Sequence, residues 1–128
     1  MPAKNDTIFK VTNLKRDGAF ISASLEINKN SELFNGHFPG HPVLPGACML
    51  QLVKDVLADT LNTSLRLKMA DQLKFIVLID PTIIHTMQLE ISCEFSDEDF
   101  ITASAKLIAG EVICFKFLGT FIRERKTG

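Results

Sequence analysis

The main helical segment of this chain, residues 47–62, carries apolar side chains over most of its circumference. These apolar positions are Met49, Leu50, Leu52, Val53, Val56, Leu57 and Leu61. The narrower polar stripe that remains consists of Gln51, Asp55, Asp59 and Asn62. A helix with so wide an apolar arc has to be covered on most sides, so we expect a helix largely enclosed by sheet.

The rest of the chain alternates apolar and polar residues, as half-buried strands do. The predicted strands are residues 19–27, 65–79, 85–95, 100–108 and 112–122. Short polar turns separate the last three, which is typical of an antiparallel meander. There is no internal repeat or linker. We therefore predict one α+β domain over residues 1–128, in which one face of a curved antiparallel sheet packs on a single central helix.

Composition argues against several classes of function. The net charge of −1 leaves no large basic field for nucleic acid, and no apolar run approaches the ~20 residues that cross a bilayer. The amino terminus shows no secretory signal, and the three cysteines fit reduced thiols, so we expect a cytoplasmic protein. No His, Cys or carboxylate pair has zinc-like spacing, so we expect no metal.

The segment most suggestive of chemistry is residues 34–46, where three prolines and three glycines surround His37. Such a rigid, turn-rich loop holds an imidazole at a fixed place beside the start of the following helix. Pro45, Gly46 and Ala47 offer no side-chain acceptor to cap that helix. Its first N–H groups are therefore left for another acceptor, such as the oxygen of a developing enolate.

The run from His37 to Gly46, HFPGHPVLPG, resembles the β-hydroxyacyl–acyl carrier protein dehydratases of fatty-acid synthesis. The resemblance implies the hot-dog fold, in which an antiparallel sheet wraps a central helix. It implies that His37 removes the proton alpha to the thioester carbonyl, and that the Gly46 backbone N–H steadies the thioester oxygen. It implies an acyl carrier protein as partner, with no cofactor beyond the phosphopantetheine arm of the substrate.

The chain departs from this family at the position of the catalytic acid. Fourteen residues after the histidine the family carries Glu or Asp, and this chain carries Gln51, which cannot supply a proton. Losing a general acid usually costs about 10²–10⁴ in rate. Four residues later, where the family often has Gln, this chain has Asp55, which shares a helix face with Gln51 about 6 Å along the axis. We hypothesise that Asp55 replaces the missing acid, directly or through a water.

Each candidate residue also has a plainer interpretation. Gln51 and Asp55 could be an exposed polar stripe. Phe38 and Phe75 could line an acyl tunnel, but apolar residues at such positions usually belong to the core. Basic residues in the second predicted strand (Arg66, Lys68 and Lys74) could meet an acidic carrier or simply be solvated.

Two other functions and two assemblies stay open. On the same fold a thioesterase would use Asp55 to activate water, with His37 as a binding residue. A subunit without turnover of its own would bind the acyl carrier, and Gln51 favours this reading. In the resembled family the histidine and the acid come from opposite subunits, so we expect a homodimer or higher oligomer, or a heterodimer with a paralogue that keeps the acid. An uncovered sheet edge also favours pairing.

Overall fold

The computed structural model describes residues 8–30, 43–96 and 99–124. Within these ranges the elements in chain order are β1 (Phe9–Asp17), β2 (Phe20–Ile27), α1 (Gly46–Leu61), β3 (Ser64–Phe75), β4 (Thr86–Phe95), β5 (Phe100–Ala109) and β6 (Val112–Glu124). His37 and Phe38, and most of the loop that contains them, lie outside the described residues.

The six strands of the described ranges form one sheet in the order β1-β2-β4-β5-β6-β3, and every neighbouring pair is antiparallel. The meander β4-β5-β6 occupies the middle of the sheet, with β1 at one edge and β3 at the other. The expected α+β architecture, one helix against an antiparallel sheet, is confirmed.

The core lies between the helix and the inner face of the sheet. The helix buries Met49, Leu52, Val53, Val56 and Leu57. The strands bury alternate residues, as β4 shows with Met87, Leu89, Ile91 and Cys93. Each large side chain buried in this way contributes roughly 1.5–3 kcal/mol. The wide apolar arc of the sequence is therefore the face that packs on the sheet, and the predicted polar stripe is solvent-exposed.

Two differences from the predicted strands have local causes. The second predicted strand ends at Phe75 rather than at residue 79, because Ile76 and Val77 both donate their N–H to the Cys114 carbonyl and leave the ladder. Strand β1 was not predicted, because a bulge interrupts its alternation where Asn13 adopts a left-handed φ of 49°. It is also mostly exposed at the sheet edge.

Gly119 in β6 permits a close approach of two strands, because β3 is irregular opposite it. A Cβ at this position would meet the backbone carbonyl oxygen of Met69 and lie 2.5 Å from Cζ of Phe117. Neither neighbour can move easily, since one is backbone and the other is fully buried. We expect Gly119→Ala to lower the free energy of unfolding by about 1–3 kcal/mol, as measured by urea denaturation.

The matched control for this substitution is Ser104→Ala, on the exposed face of the adjacent strand β5. It should change the free energy of unfolding by less than about 0.5 kcal/mol. Equal stability of the two variants would contradict the close approach at Gly119.

Candidate functional site

The helix begins without a side-chain cap. Pro45 at the N-cap has extended backbone (φ −65°, ψ 140°), makes no side-chain capping bond, and no acidic residue occupies the first turn. The Cys48 N–H donates to the Pro45 carbonyl at 3.1 Å. Among the described residues no hydrogen bond is donated by the N–H of Gly46 or Ala47. The amino-terminal end of the helix dipole thus presents backbone donors, as the sequence predicted.

Phe75, at the end of β3, lies directly against this helix end. A Cβ built on Gly46 would be 2.6 Å from ring atoms Cε1 and Cζ of Phe75, so the glycine lets the ring approach the backbone. The Phe75 ring is about half exposed and packs at 5.4 Å (centroid to centroid) on the buried ring of Phe115. The Leu44 N–H donates to the Ile79 carbonyl at 2.8 Å and ties the chain before the helix to the segment after β3. The structure therefore places two predicted substrate-binding residues, Gly46 and Phe75, in contact.

Gln51 and Asp55 form a second cluster on the exposed face of the helix. The Gln51 side-chain amide Nε2 donates to Asp55 Oδ1 at 2.8 Å. This bond leaves Asp55 Oδ2 and the Gln51 carbonyl oxygen available to a third group. The two residues that depart from the resembled family are thus a directly bonded pair.

The pair lines a groove of about 270 Å³ between the helix and the first strand, referred to below as the helix groove. Its lining residues are Ile8, Phe9, Val11, Cys48, Gln51, Leu52, Asp55, Val56 and Asp59. The walls are mainly apolar and the polar groups lie along one side, which is the usual character of a site for a small organic ligand. The wall from residues 8–11 was missed from the sequence, where the alternation of Phe9 and Val11 was the available signal.

Cys48 lies in the helix groove, but its thiol is a poor nucleophile. Burial raises the pKa of the Cys48 thiol, so the neutral form dominates at neutral pH. Within residues 8–30, 43–96 and 99–124, no three His, Cys, Asp or Glu side chains are grouped as a metal ion would require. In the same ranges, no helix has the length and apolar character needed to span a bilayer.

Along the helix axis, Gly46 and Gln51 are separated by about 7–8 Å, and Asp55 lies about 6 Å further on. Ala47, Gln51 and Asp55 follow one another at intervals of four residues, and all three are exposed. An extended ligand whose oxygen reached the helix end could therefore run along this face toward Asp55. The described residues thus include five of the seven predicted site residues, in two places: Gly46 and Phe75 are in contact at the start of the helix, and Ala47, Gln51 and Asp55 lie along its exposed face.

Comparison with known proteins identifies the family. The model of the ApeI-like family, described as ApeI dehydratase, matches residues 13–111. The 3-hydroxyacyl-[acyl-carrier-protein] dehydratase FabZ of Ralstonia nicotianae is 41% identical over 61 residues, which are 47% of this chain and 37% of that protein. The chain spans about a third of the length of the curated relatives it matches first.

Solved structures show the same fold at low sequence identity. The dehydratase heterocomplex ApeI:P from Xenorhabdus doucetiae superposes with a TM-score of 0.72 at 18% identity, over 90% of this chain and 98% of that one. Thioesterase HI1161 from Haemophilus influenzae gives 0.66 at 9% identity, over 94% and 81%. The fold alone is therefore shared by dehydratases and thioesterases, whereas the family match is to dehydratases. The chain has the hot-dog fold and belongs to the ApeI-like dehydratase family.

Proposed function

We propose that this protein dehydrates β-hydroxyacyl thioesters carried on an acyl carrier protein. Family membership supports the reaction class. The observation that carries the proposal is the bonded Gln51–Asp55 pair in the helix groove, on the same helix whose uncapped end presents the Gly46 N–H. Such a helix offers an oxygen-binding end and a proton-bearing group further along, as removal of water from a thioester requires.

In this mechanism His37 takes the proton from the carbon alpha to the thioester carbonyl, and the Gly46 N–H stabilises the charge that develops on the carbonyl oxygen. The bond between the beta carbon and the hydroxyl then breaks. The Asp55 carboxyl group gives a proton to the departing hydroxyl, so that water and an α,β-unsaturated thioester leave. Transfer of the proton from His37 back to Asp55 through solvent restores both groups. Gln51 holds Asp55 through Oδ1 and is a positioning residue.

The site is proposed to be completed by a second subunit at the β3 edge. Exposed apolar residues follow that edge and the segment after it: Met69, Leu73, Phe75, Ile76, Val77 and Leu78. The opposite edge, β1, exposes fewer large apolar residues, Val11 and Leu14. The partner is either a second copy or a paralogue that brings its own carboxylate. A heterocomplex among the structural neighbours supports the second possibility.

The proposed interface predicts the effect of one charged substitution. We expect Leu78→Asp to shift the oligomer to monomers, because Leu78 is 77% exposed and would place a carboxylate in an apolar contact. Analytical ultracentrifugation over a concentration series measures the change. Leu118→Asp, on the outer face of β6, is the matched control and should not alter assembly. An unchanged sedimentation coefficient for Leu78→Asp would rule out this interface.

The contact between Gly46 and Phe75 predicts a mutual dependence of these residues. We expect Gly46→Ala to lower kcat/KM about tenfold or more, because the added methyl group forces the Phe75 ring out of its place beside the oxygen-binding N–H. Adding Phe75→Leu should recover part of the loss, since it removes the ring atoms that clash. A double variant no better than Gly46→Ala would show that the clash is not the cause.

Product analysis of the isolated protein tests the proposal. Incubation with a β-hydroxyacyl carrier thioester should yield the enoyl thioester. Free acid and thiol would instead indicate a thioesterase, which the exposed Asp55 carboxylate in the groove could support by activating water. Carrier binding without turnover, with activity appearing only after a paralogue is added, would indicate a subunit that depends on its partner for the acid.

A further inference from the structure

Residues 76–85, the connection between β3 and β4, are fixed by hydrogen bonds at both ends. The first two N–H groups of this connection donate to the Cys114 carbonyl of β6 at 2.9 and 3.3 Å. Its last carbonyl accepts the Ile27 N–H of β2 at 2.8 Å. The β3–β4 connection is thereby tied to two strands that lie on opposite sides of the middle of the sheet.

Asp80 organises a compact turn within the β3–β4 connection. Its side-chain oxygen Oδ1 accepts the Thr82 N–H at 2.8 Å and the Thr82 hydroxyl at 2.6 Å. Its backbone carbonyl accepts the N–H groups of Ile83 and Ile84 at 3.0 and 2.8 Å. Pro81 follows, and its ring restricts the backbone angles of Asp80 as well as its own. All four bonds end on Asp80, so this residue sets the shape of the turn.

The residue before this turn holds the chain that enters the helix. Ile79 is completely buried, and its carbonyl accepts the Leu44 N–H at 2.8 Å. Leu44 is also buried and directly precedes Pro45, the N-cap of the helix, which has no N–H of its own. Among the backbone hydrogen bonds of the described residues, this is the one that ties residues 43–45 to a distant part of the chain.

The direction of the Ile79 carbonyl depends on the turn, because the peptide bond that joins Ile79 to Asp80 is planar. A rotation of the Asp80 backbone therefore turns the carbonyl that holds Leu44. Gly46 comes two residues after Leu44, so a displaced Leu44 would also displace the Gly46 N–H. Misplacement of a group in an active site by about 1 Å can lower the rate about 10²-fold.

We infer that Asp80 is a positioning residue of the proposed active site. Through its turn, it keeps the Ile79 carbonyl in the direction that fixes Leu44, and thereby fixes the Gly46 N–H that stabilises the thioester oxygen. In this role Asp80 acts on the backbone and not on the substrate. The link from Asp80 to Leu44 rests on the hydrogen bonds described above, whereas its importance for turnover rests on the proposed function.

Amide hydrogen exchange tests the structural link. We expect Asp80→Ala to lower the protection of the Leu44 N–H about tenfold or more, because the turn loses the acceptor of two hydrogen bonds. The protection is compared with that of the Leu57 N–H in the helix, so that a general loss of stability is recognised. Asp80→Asn is the matched variant: it retains an acceptor oxygen and should keep the Leu44 N–H protected.

Steady-state kinetics with a β-hydroxyacyl thioester tests the consequence for turnover in the assembled protein. We expect Asp80→Ala to lower kcat about tenfold with little change in KM, because a donor to the developing charge acts mainly in the transition state. Asp80→Asn should keep kcat near wild type. Gly119→Ala, which is expected to lose stability elsewhere in the sheet, should also keep its kcat, since its helix entry is unchanged.

Three outcomes would overturn the inference. They are unchanged relative protection of Leu44 in Asp80→Ala, an equal fall in kcat in Asp80→Asn, and an equal fall in kcat in Gly119→Ala. Thr82→Val removes only the hydroxyl bond and should move both readouts in the same direction if Asp80→Ala does not fold. Absence of turnover by the wild-type protein would contradict the proposed function, and hydrogen exchange would still decide whether Asp80 positions Leu44.

Discussion

Replacing Asp55 with Asn is expected to lower the turnover of a β-hydroxyacyl thioester by about 10²–10⁴-fold, the usual cost of losing a general acid. The reason is that Asn can still accept the hydrogen bond from Gln51 at 2.8 Å but has no proton to give the departing hydroxyl. Formation of the enoyl thioester, followed by its ultraviolet absorbance, measures the change. The assay uses the assembled protein with its partner present, if one is required.

Asp59→Asn is the matched control for this experiment. Asp59 lies one turn further along the same exposed face, also lines the helix groove, and undergoes the same chemical change. It should keep nearly full turnover, because its carboxylate lies about 6 Å further from the Gly46 end. An equal fall in turnover for both variants would show that turnover depends on the negative charge of this helix face and not on a single proton donor. Full activity of Asp55→Asn would refute Asp55 as the acid.

Gln51→Glu separates the two possible sources of the proton. Position 51 can be given a carboxyl group while Asp55 loses its own. If this protein supplies the proton from its helix, the double variant Gln51→Glu/Asp55→Asn should recover turnover that Asp55→Asn alone has lost. If a partner subunit supplies the acid, neither substitution should alter turnover of the assembled complex by more than a small factor. Recovery of turnover in the double variant would assign the proton to the helix of this chain, whereas unchanged turnover in both single variants would assign it to the partner.

Replacing Phe115 with Ala is expected to lower the free energy of unfolding by about 3–5 kcal/mol. Phe115 is completely buried in the middle of the sheet, between Leu107 of β5 and Phe75 of β3. That loss is a large part of the 5–15 kcal/mol that stabilises a typical domain. Urea denaturation at low temperature measures it, and Phe115→Leu provides a milder variant if the alanine protein does not fold.

Phe115 differs from other core phenylalanines because its ring supports Phe75 at the helix end. Phe121→Ala should cost similar stability, since Phe121 is equally buried, but its aromatic contact is with Phe117 instead. At a temperature where both variants are folded, we expect only the Phe115 variant to raise KM for the thioester. Equal KM values in the two variants would show that packing on the Phe115 ring is not needed to hold Phe75 in place.

Periodicity was sufficient to predict the elements whose two faces differ. The helix and β2, β4, β5 and β6 bury one side and expose the other, so apolar residues recur at 3.6 or 2 positions and their bounds agree with the structure to within about two residues. Periodicity did not predict strand β1. This strand lies at an edge of the sheet and contains a bulge after Thr12, which shifts the following residues to the opposite face.

The sequence by itself determined the family and the residues that depart from its pattern, because a loop rich in Pro and Gly, a helix start without a capping side chain and a Gln–Asp spacing of four are local features of the chain. Only the tertiary structure decided which distant residues contact these local features. Phe75 contacts Gly46, Phe9 and Val11 form the wall opposite Asp55, and the Ile79 carbonyl accepts the Leu44 N–H beside the helix start. These contacts join residues far apart along the chain. They depend on strand order and register, which the pairing of whole strands fixes and no short window of sequence contains.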